Sequence, residues 1–262
     1  MSDRYNVKII YEDNHLLVVE KPPNMLVQGD QTGDEDLLTV LKEDIRRRYN
    51  KPGNVYLGLV HRLDRPAGGA MVFAKTSKAA SRLSDQVRNR TFEKTYLAVV
   101  HGLPDRPSGT LVNYLIKDAA ANTVKAVDIS SGKNSSGAHP DIARIEGRRK
   151  TSGKTGNTGS ENVSTISGAK KAVLDYKVTD TADGLSLVQI KLHTGRPHQI
   201  RVQLASIGHP LYGDQKYGAS LNKPGMQLAL WSAEIGFIHP TLRERVVYSS
   251  DPPSVYPWNL FA

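Results

Sequence analysis

Short apolar runs that return after only a few turn-forming residues recur along this chain, and this restricts its fold more than any other feature. Val7 to Tyr11 and His15 to Glu20 are separated by Glu12-Asp13-Asn14, whose Asp-Asn pair is turn chemistry. They predict a hairpin that Lys21-Pro22-Pro23-Asn24 ends. Ala172 to Val178 and Leu185 to His193 alternate as strands across Asp180-Thr181-Ala182-Asp183-Gly184. Phe92 to Val100 alternates as well, with Lys94, Tyr96, Ala98 and Val100 on one face and Thr95, Leu97 and Val99 on the other. Gln227 to Phe237 reads as another strand, and Asp251-Pro252-Pro253 with Pro257-Trp258 as a rigid tail. Strands joined this closely pair antiparallel. The predicted fold is α+β: a mixed, largely antiparallel sheet flanked by helices and loops, with a central basic cleft.

Three stretches carry helical signals. Leu37, Leu38, Leu41 and Ile45 recur at helical spacing, with Arg46, Arg47 and Arg48 in the last turn, where cations complement the dipole or meet phosphate. Thr76 or Ser77 caps a second helix running to about Arg90, with Ala80, Leu83 and Val87 as its buried stripe. Its other faces carry Lys78, Arg82, Arg88 and Arg90, and with Lys75 and Lys94 form a dense basic zone that suits either RNA phosphate or plain solvent. In the third, Thr194 or Gly195 ends a strand, Pro197 suits a first helical turn, Ile200, Leu204 and Ile207 are spaced for the core, and Gly208 suits the C′ position. Arg196 and Arg201 sit at this helix start, a poor place for cations by dipole alone. A fixed anion explains them, and Asp64 or RNA phosphate fits that part.

The chain has 262 residues, enough for one large domain, with 35 Lys and Arg against 26 Asp and Glu. That excess favours a polyanionic partner such as nucleic acid. The absence of cysteine excludes disulfides, thiolate catalysis, Cys-ligated zinc and iron–sulfur clusters. His193, His198 and His209 match no strong metal-ligand spacing, so no metal is expected. Met1 to Asn6 carries no apolar signal core and no apolar run approaches bilayer length, so a cytoplasmic location and no membrane contact are expected. From Ser130 to Ser167 the composition turns to Ser, Gly, Thr, Asn and Lys; a polar, mobile insertion in a single domain spanning 1–262 is expected there. Its Gly153-Lys154-Thr155 lacks the upstream glycine and strand of a phosphate-binding loop, so nucleotide binding is discarded.

Gly58-Leu59-Val60-His61-Arg62-Leu63-Asp64-Arg65-Pro66 brings the pieces to one point. Val55 to Val60 predicts a buried strand entering it, and strand alternation would put Arg62 and Asp64 on one side, His61 and Leu63 on the other. Pro66 holds the backbone after Asp64, and Gly68-Gly69 allow a close approach before the strand Ala70 to Ala74. A strand end with a surface Asp-Arg pair and a catalytic carboxylate both fit these residues. Tyr96 likewise fits either core packing or a platform for a base.

Taken together, these stretches resemble the RluA family of RNA pseudouridine synthases. Lys21-Pro22 resembles its first motif, His61-Arg62-Leu63-Asp64 its catalytic motif, Lys94 to Val100 its tyrosine strand, and Thr194 to Leu204 its arginine motif, in the right order. The resemblance implies an isomerase that converts specific uridines in ribosomal or transfer RNA to pseudouridine, with no cofactor, working as a monomer on RNA. It implies Asp64 as the catalytic carboxylate, Arg201 as its ionic partner and Tyr96 against the target base. Arg62 would fill the gap left by a flipped nucleotide, with His61, Arg65, Lys75, Lys78, Arg82, Lys94, Arg196, His198 and Gln199 as further RNA-binding positions.

This chain departs from the family at Ala67-Gly68-Gly69, where members commonly read Thr-Ser-Gly, so two hydroxyls are missing from the active loop. The N-terminal RNA-binding module of many relatives is also expected to be absent, since the first hairpin begins near residue 7. Two other functions compete: an RNA-binding or ribosome-assembly protein that has lost turnover through the Ala67-Gly68 change, and a phosphate-binding metabolic enzyme.

Overall fold

The computed structural model describes residues 7–118, 121–127 and 168–261. The stretch Ser130 to Ser167 lies outside them. Eleven strands form one sheet: β1 (Ile9–Glu12), β2 (Leu16–Lys21), β3 (Gly58–Leu59), β4 (Gly68–Ala74), β5 (Glu93–His101), β6 (Ser108–Asp118), β7 (Thr123–Val127), β8 (Lys170–Ala182), β9 (Leu185–Leu192), β10 (Leu230–Ile238) and β11 (Arg245–Ser249). Among the described residues three α-helices accompany it: α1 (Leu37–Arg48), α2 (Ser77–Arg88) and α3 (Gln199–Ser206). The spatial order is β1-β2-β4-β10-β5-β9-β8-β6-β7, with β3 on β4 and β11 on β10.

Among the described strands every pairing is antiparallel except β4 with β10, where Gly68 and Gly69 face Trp231 and Ser232. This parallel seam joins two antiparallel halves. Both faces of β4 are covered, and all seven of its residues are buried. Leu17, Val19, Met71, Phe73, Tyr96, Ala98, Val188 and Ile190 pack with α1 and α3 on one face, whereas Leu16, Val18, Val72, Phe237 and α2 meet on the other. The tail docks through Trp258, which packs with Val99, Leu185 and Trp231.

Asp36 caps α1 and Thr76 caps α2, each side chain accepting from the backbone N–H three residues on. Several boundaries differ from the sequence expectation. Only Gly58 and Leu59 of the run entering Asp64 pair as a strand; Val55 stays partly exposed, Tyr56 is exposed, and residues 60 to 66 have no ladder partner. The buried stripe of α2 is Ala79 and Leu83, with Ala80 and Val87 at its margin, because the helix leans on β4 one position earlier than its Leu and Val spacing suggests. Helix α3 starts at Gln199, two residues after Pro197, because His198 adopts a left-handed φ of 51°. Ile207 is the C-cap of that helix and exposed, with Gly208 at C′ at φ 86°.

Candidate active site

A cavity of about 710 Å³ opens beside the parallel seam, lined by the β3–β4 loop, the C-terminal end of α2, β5, the tip of the β6–β7 hairpin and the start of α3. His61, Arg62, Asp64, Arg65, Lys94, Tyr96, Arg196, His198, Gln199 and Arg201 all line it. Of the other singled-out positions, Lys75, Lys78 and Arg82 do not. Lys75 is tied to Glu12 at 2.6 Å and to the Asp13 carbonyl, Arg82 donates to the Pro240 carbonyl, and Lys78 is exposed at the opposite end of α2 from the cavity. The basic residues of α2 that reach the cavity are Arg88 and, just beyond the helix, Arg90.

The Asp64 segment alternates although it is not a strand: His61 and Leu63 are buried, Arg62 is exposed and Asp64 is half-buried. Main-chain contacts hold it. The Ala67 N–H donates to the Asp64 carbonyl at 3.0 Å, and Gln227 Nε2 donates to the Pro66 carbonyl at 2.7 Å. Lys21 continues the buried side of β2 after Leu17 and Val19, and its ammonium donates to the carbonyls of Pro22, Arg65 and Ala67 at 2.9, 3.0 and 2.7 Å. Burial pushes Lys21 down to about 7, against which the Asp64 charge pulls upward.

Of the two missing hydroxyls, the one at position 68 has a steric reason, and Gly69 is required by its backbone. A Cβ on Gly68 would stand 2.2 Å from the Trp231 ring, and one on Gly69, at φ 110°, 2.4 Å from the Ser232 carbonyl oxygen. Trp231 occupies the space that a serine at 68 would need.

Across the cavity Arg201 is almost fully buried between two carboxylates. Its Nη1 donates to Asp64 Oδ2 at 3.3 Å, while Nε and Nη2 form a fork on Asp214 at 2.7 and 2.8 Å. The principal partner is therefore Asp214, which the sequence reading did not single out. Asp214 Oδ1 also accepts the backbone N–H of Lys216 and Tyr217, and the guanidinium lies over the Tyr217 ring at 5.2 Å. Sequence did hold a signal: Asp214 is the only acidic residue between Asp183 and Glu234, a stretch containing five Lys and Arg.

Tyr96 is buried beside this pair, and burial first, then the Asp64 charge, raises its phenol well above the usual range. Lys94, one turn of the pleat away on the same face, is pushed down by burial. His61 is held neutral by burial; its Nε2 accepts the Val72 N–H at 3.2 Å and its ring packs on Phe92. Gln199 works inward, accepting from Thr194 Oγ1 and the Arg196 N–H and donating to the Val173 carbonyl. Arg196 Nε donates to the Lys171 carbonyl, and Arg65 pairs with Asp34 at the exposed rim.

A family model for RNA pseudouridylate synthase matches residues 15–206, which contain Asp64, Tyr96 and Arg201. The chain belongs to this family. It is 31% identical over 249 residues to the uncharacterized RNA pseudouridine synthase YhcT of Bacillus subtilis, covering 94% of this chain and 68% of that relative. It is 29% identical to the ribosomal large subunit pseudouridine synthase D of Zymomonas mobilis, covering 94% and 69%. In fold it is similar to human RNA pseudouridylate synthase domain containing 4, at a TM-score of 0.69 and 21% identity, covering 94% of this chain and 88% of the other. The protein is an RNA pseudouridine synthase of the RluA type, an isomerase acting on RNA. Among the described residues no helix is long and apolar enough to cross a membrane.

Proposed function

We propose that this synthase isomerises specific uridines in ribosomal or transfer RNA, with Asp64 acting on a nucleotide flipped into the cavity. The observation that carries the reading is the position of the Asp64 carboxylate, half-buried at the cavity and 3.3 Å from a guanidinium that Asp214 holds in place. The reaction breaks the N1–C1′ bond, turns the uracil and joins C5 to C1′; C5 loses its proton and N1 gains one, so product and substrate are isomers and no electrons enter or leave. A carboxylate paired with a fixed arginine suits attack at the sugar, charge stabilisation or proton removal. Tyr96 stays protonated and serves as a flat neighbour for the uracil. Arg62, exposed beside Asp64, fills the gap in the RNA stack.

The loop lacks the hydroxyls common in the family, yet Lys21, Gln227 and Trp231 fix it, which favours turnover over a binding-only protein. On this reading the protein acts as a monomer in the cytoplasm. Ribosomal RNA is favoured by relatives such as the ribosomal large subunit pseudouridine synthase D of Zymomonas mobilis. The test is to map pseudouridines in ribosomal and transfer RNA from cells with and without this gene. Discrete sites should vanish from one of the two RNA classes and return on unmodified transcript incubated with purified protein; unchanged maps in both classes would overturn the assignment.

A further inference from the structure

Tyr217 and His198 form a relay that the reading above leaves unused. The Val124 N–H of β7 donates to Tyr217 Oη at 2.9 Å, and Tyr217 Oη lies 2.7 Å from His198 Nδ1. Among the described residues Nδ1 is the one acceptor that the Tyr217 hydroxyl meets, and this directs its hydrogen there. An imidazole that accepts at Nδ1 carries its proton on Nε2 when neutral. Burial, the largest influence on His198, favours that neutral form, as do Arg201 and Lys216; Asp64 and Asp214 oppose it, and Tyr217 supplies the neutral contact. His198 lines the same cavity as Asp64, and it holds a left-handed φ of 51° at the start of α3 without capping the helix.

We propose that His198 is a fixed neutral donor to the flipped uridine, its Nε2–H meeting a uracil carbonyl oxygen, and that Tyr217 is the positioning residue that sets this tautomer. This rests on the site assignment above. When the N1–C1′ bond breaks, its electron pair stays on the uracil and spreads onto the two carbonyl oxygens. A directed N–H in a half-buried site stabilises that charge as it develops, and the proton stays on His198 throughout. Because the charge is absent from the bound uridine, the contribution falls on kcat more than on RNA affinity.

The test uses the full-length protein and unmodified transcript of the RNA class identified by mapping. His198→Asn suits the left-handed backbone but falls short of the Nε2 position, whereas His198→Gln carries an amide N–H close to it. His198→Asn should lose about 30- to 100-fold in kcat, in the range of one removed charge-stabilising donor or somewhat below it, with RNA Kd and Tm near wild type. His198→Gln should recover most of that loss. In ¹⁵N-histidine NMR of the free protein, His198 should be protonated at Nε2, and Tyr217→Phe, which keeps the ring under Arg201, should give a mixture of tautomers with an intermediate kcat. A proton on Nδ1 in the wild type would overturn the relay, and a kcat of His198→Asn within twofold of wild type would overturn the donor. Failure of the site assignment itself would show separately, as turnover by Asp64→Asn, and would leave the tautomer result standing.

Discussion

The two walls of the cavity are held in place by different means. The Asp64 wall is fixed through its backbone: three carbonyls converge on Lys21, Gln227 takes a fourth, and two glycines press on Trp231 and Ser232. The Arg201 wall is fixed through side chains, by a buried fork on Asp214, a tyrosine ring beneath the guanidinium and a histidine held by that tyrosine. A backbone held by shape resists any residue that adds atoms, whereas a side-chain network fails when a single charge is removed. Asp64 and His198 themselves apart, substitutions on the first wall should therefore act mainly through folding, and those on the second through folding and turnover together.

Asp214→Asn should give the largest loss of stability, because it leaves Arg201 with Asp64 alone. Breaking a buried pair on one side costs about 3–5 kcal/mol. Thermal unfolding should register that loss, and the fraction still folded should turn over RNA poorly; a folded, fully active Asp214→Asn would erase the contrast between the walls.

On the Asp64 wall, Gly68→Ser restores a hydroxyl common in the family but drives a Cβ into Trp231, and overpacking of this kind costs about 1–3 kcal/mol. Lys21→Met, which leaves buried carbonyls without their donor, should cost about 1–3 kcal/mol. In both variants the activity per folded molecule should stay within a few-fold of wild type, as read from Tm and active-site titration. A proportionally larger loss of turnover would mean that this wall too works through chemistry.

Next in size is a pH effect at His61. Burial lowers its pKa in the folded protein well below the usual value, so on acidification the unfolded chain takes up a proton that the native one refuses. Stability from this group is complete above the unfolded value near 6.5 and falls by about 1.4 kcal/mol per pH unit below it. Subtracting the pH profile of His61→Gln from that of wild type should isolate this slope; parallel profiles would show that His61 accepts a proton while folded.

The smallest effects belong to the rim. Arg90→Ala should make the slope of log K against log salt less steep by about 0.7, the share of one single-strand phosphate contact, while Lys78→Ala should leave it unchanged. Equal effects would place RNA along the whole of α2.

Much of the first wall was legible in sequence because its determinants are local. The Pro66, Gly68 and Gly69 pattern marked a held turn, and Lys21-Pro22 marked the end of the first hairpin. Most strands of the sheet were legible for the same reason, since alternation and turn residues are local signals, whereas β6, β7 and β11 were not singled out. The parallel seam between β4 and β10 was not, because residues 68 and 231 meet only in the folded chain. Asp214 was missed for a related reason. It lies 13 positions after Arg201 in a loop with no periodicity, and the pairing becomes visible only when the turn brings the loop under α3. Lys75 shows the reverse error: its place in a basic run suggested RNA, but Glu12 of a distant hairpin takes its charge.

The central claim is that the two walls hold one carboxylate, that of Asp64, against a nucleotide. The most direct measurement is pseudouridine formed per molecule of Asp64→Asn, alongside its melting curve and RNA-binding isotherm. Asparagine keeps the size of the side chain but cannot act as nucleophile, base or anion, so the account predicts a folded protein that binds RNA like wild type and forms no pseudouridine. Wild-type turnover by Asp64→Asn, or a destabilised protein whose folded fraction remains fully active, would contradict it.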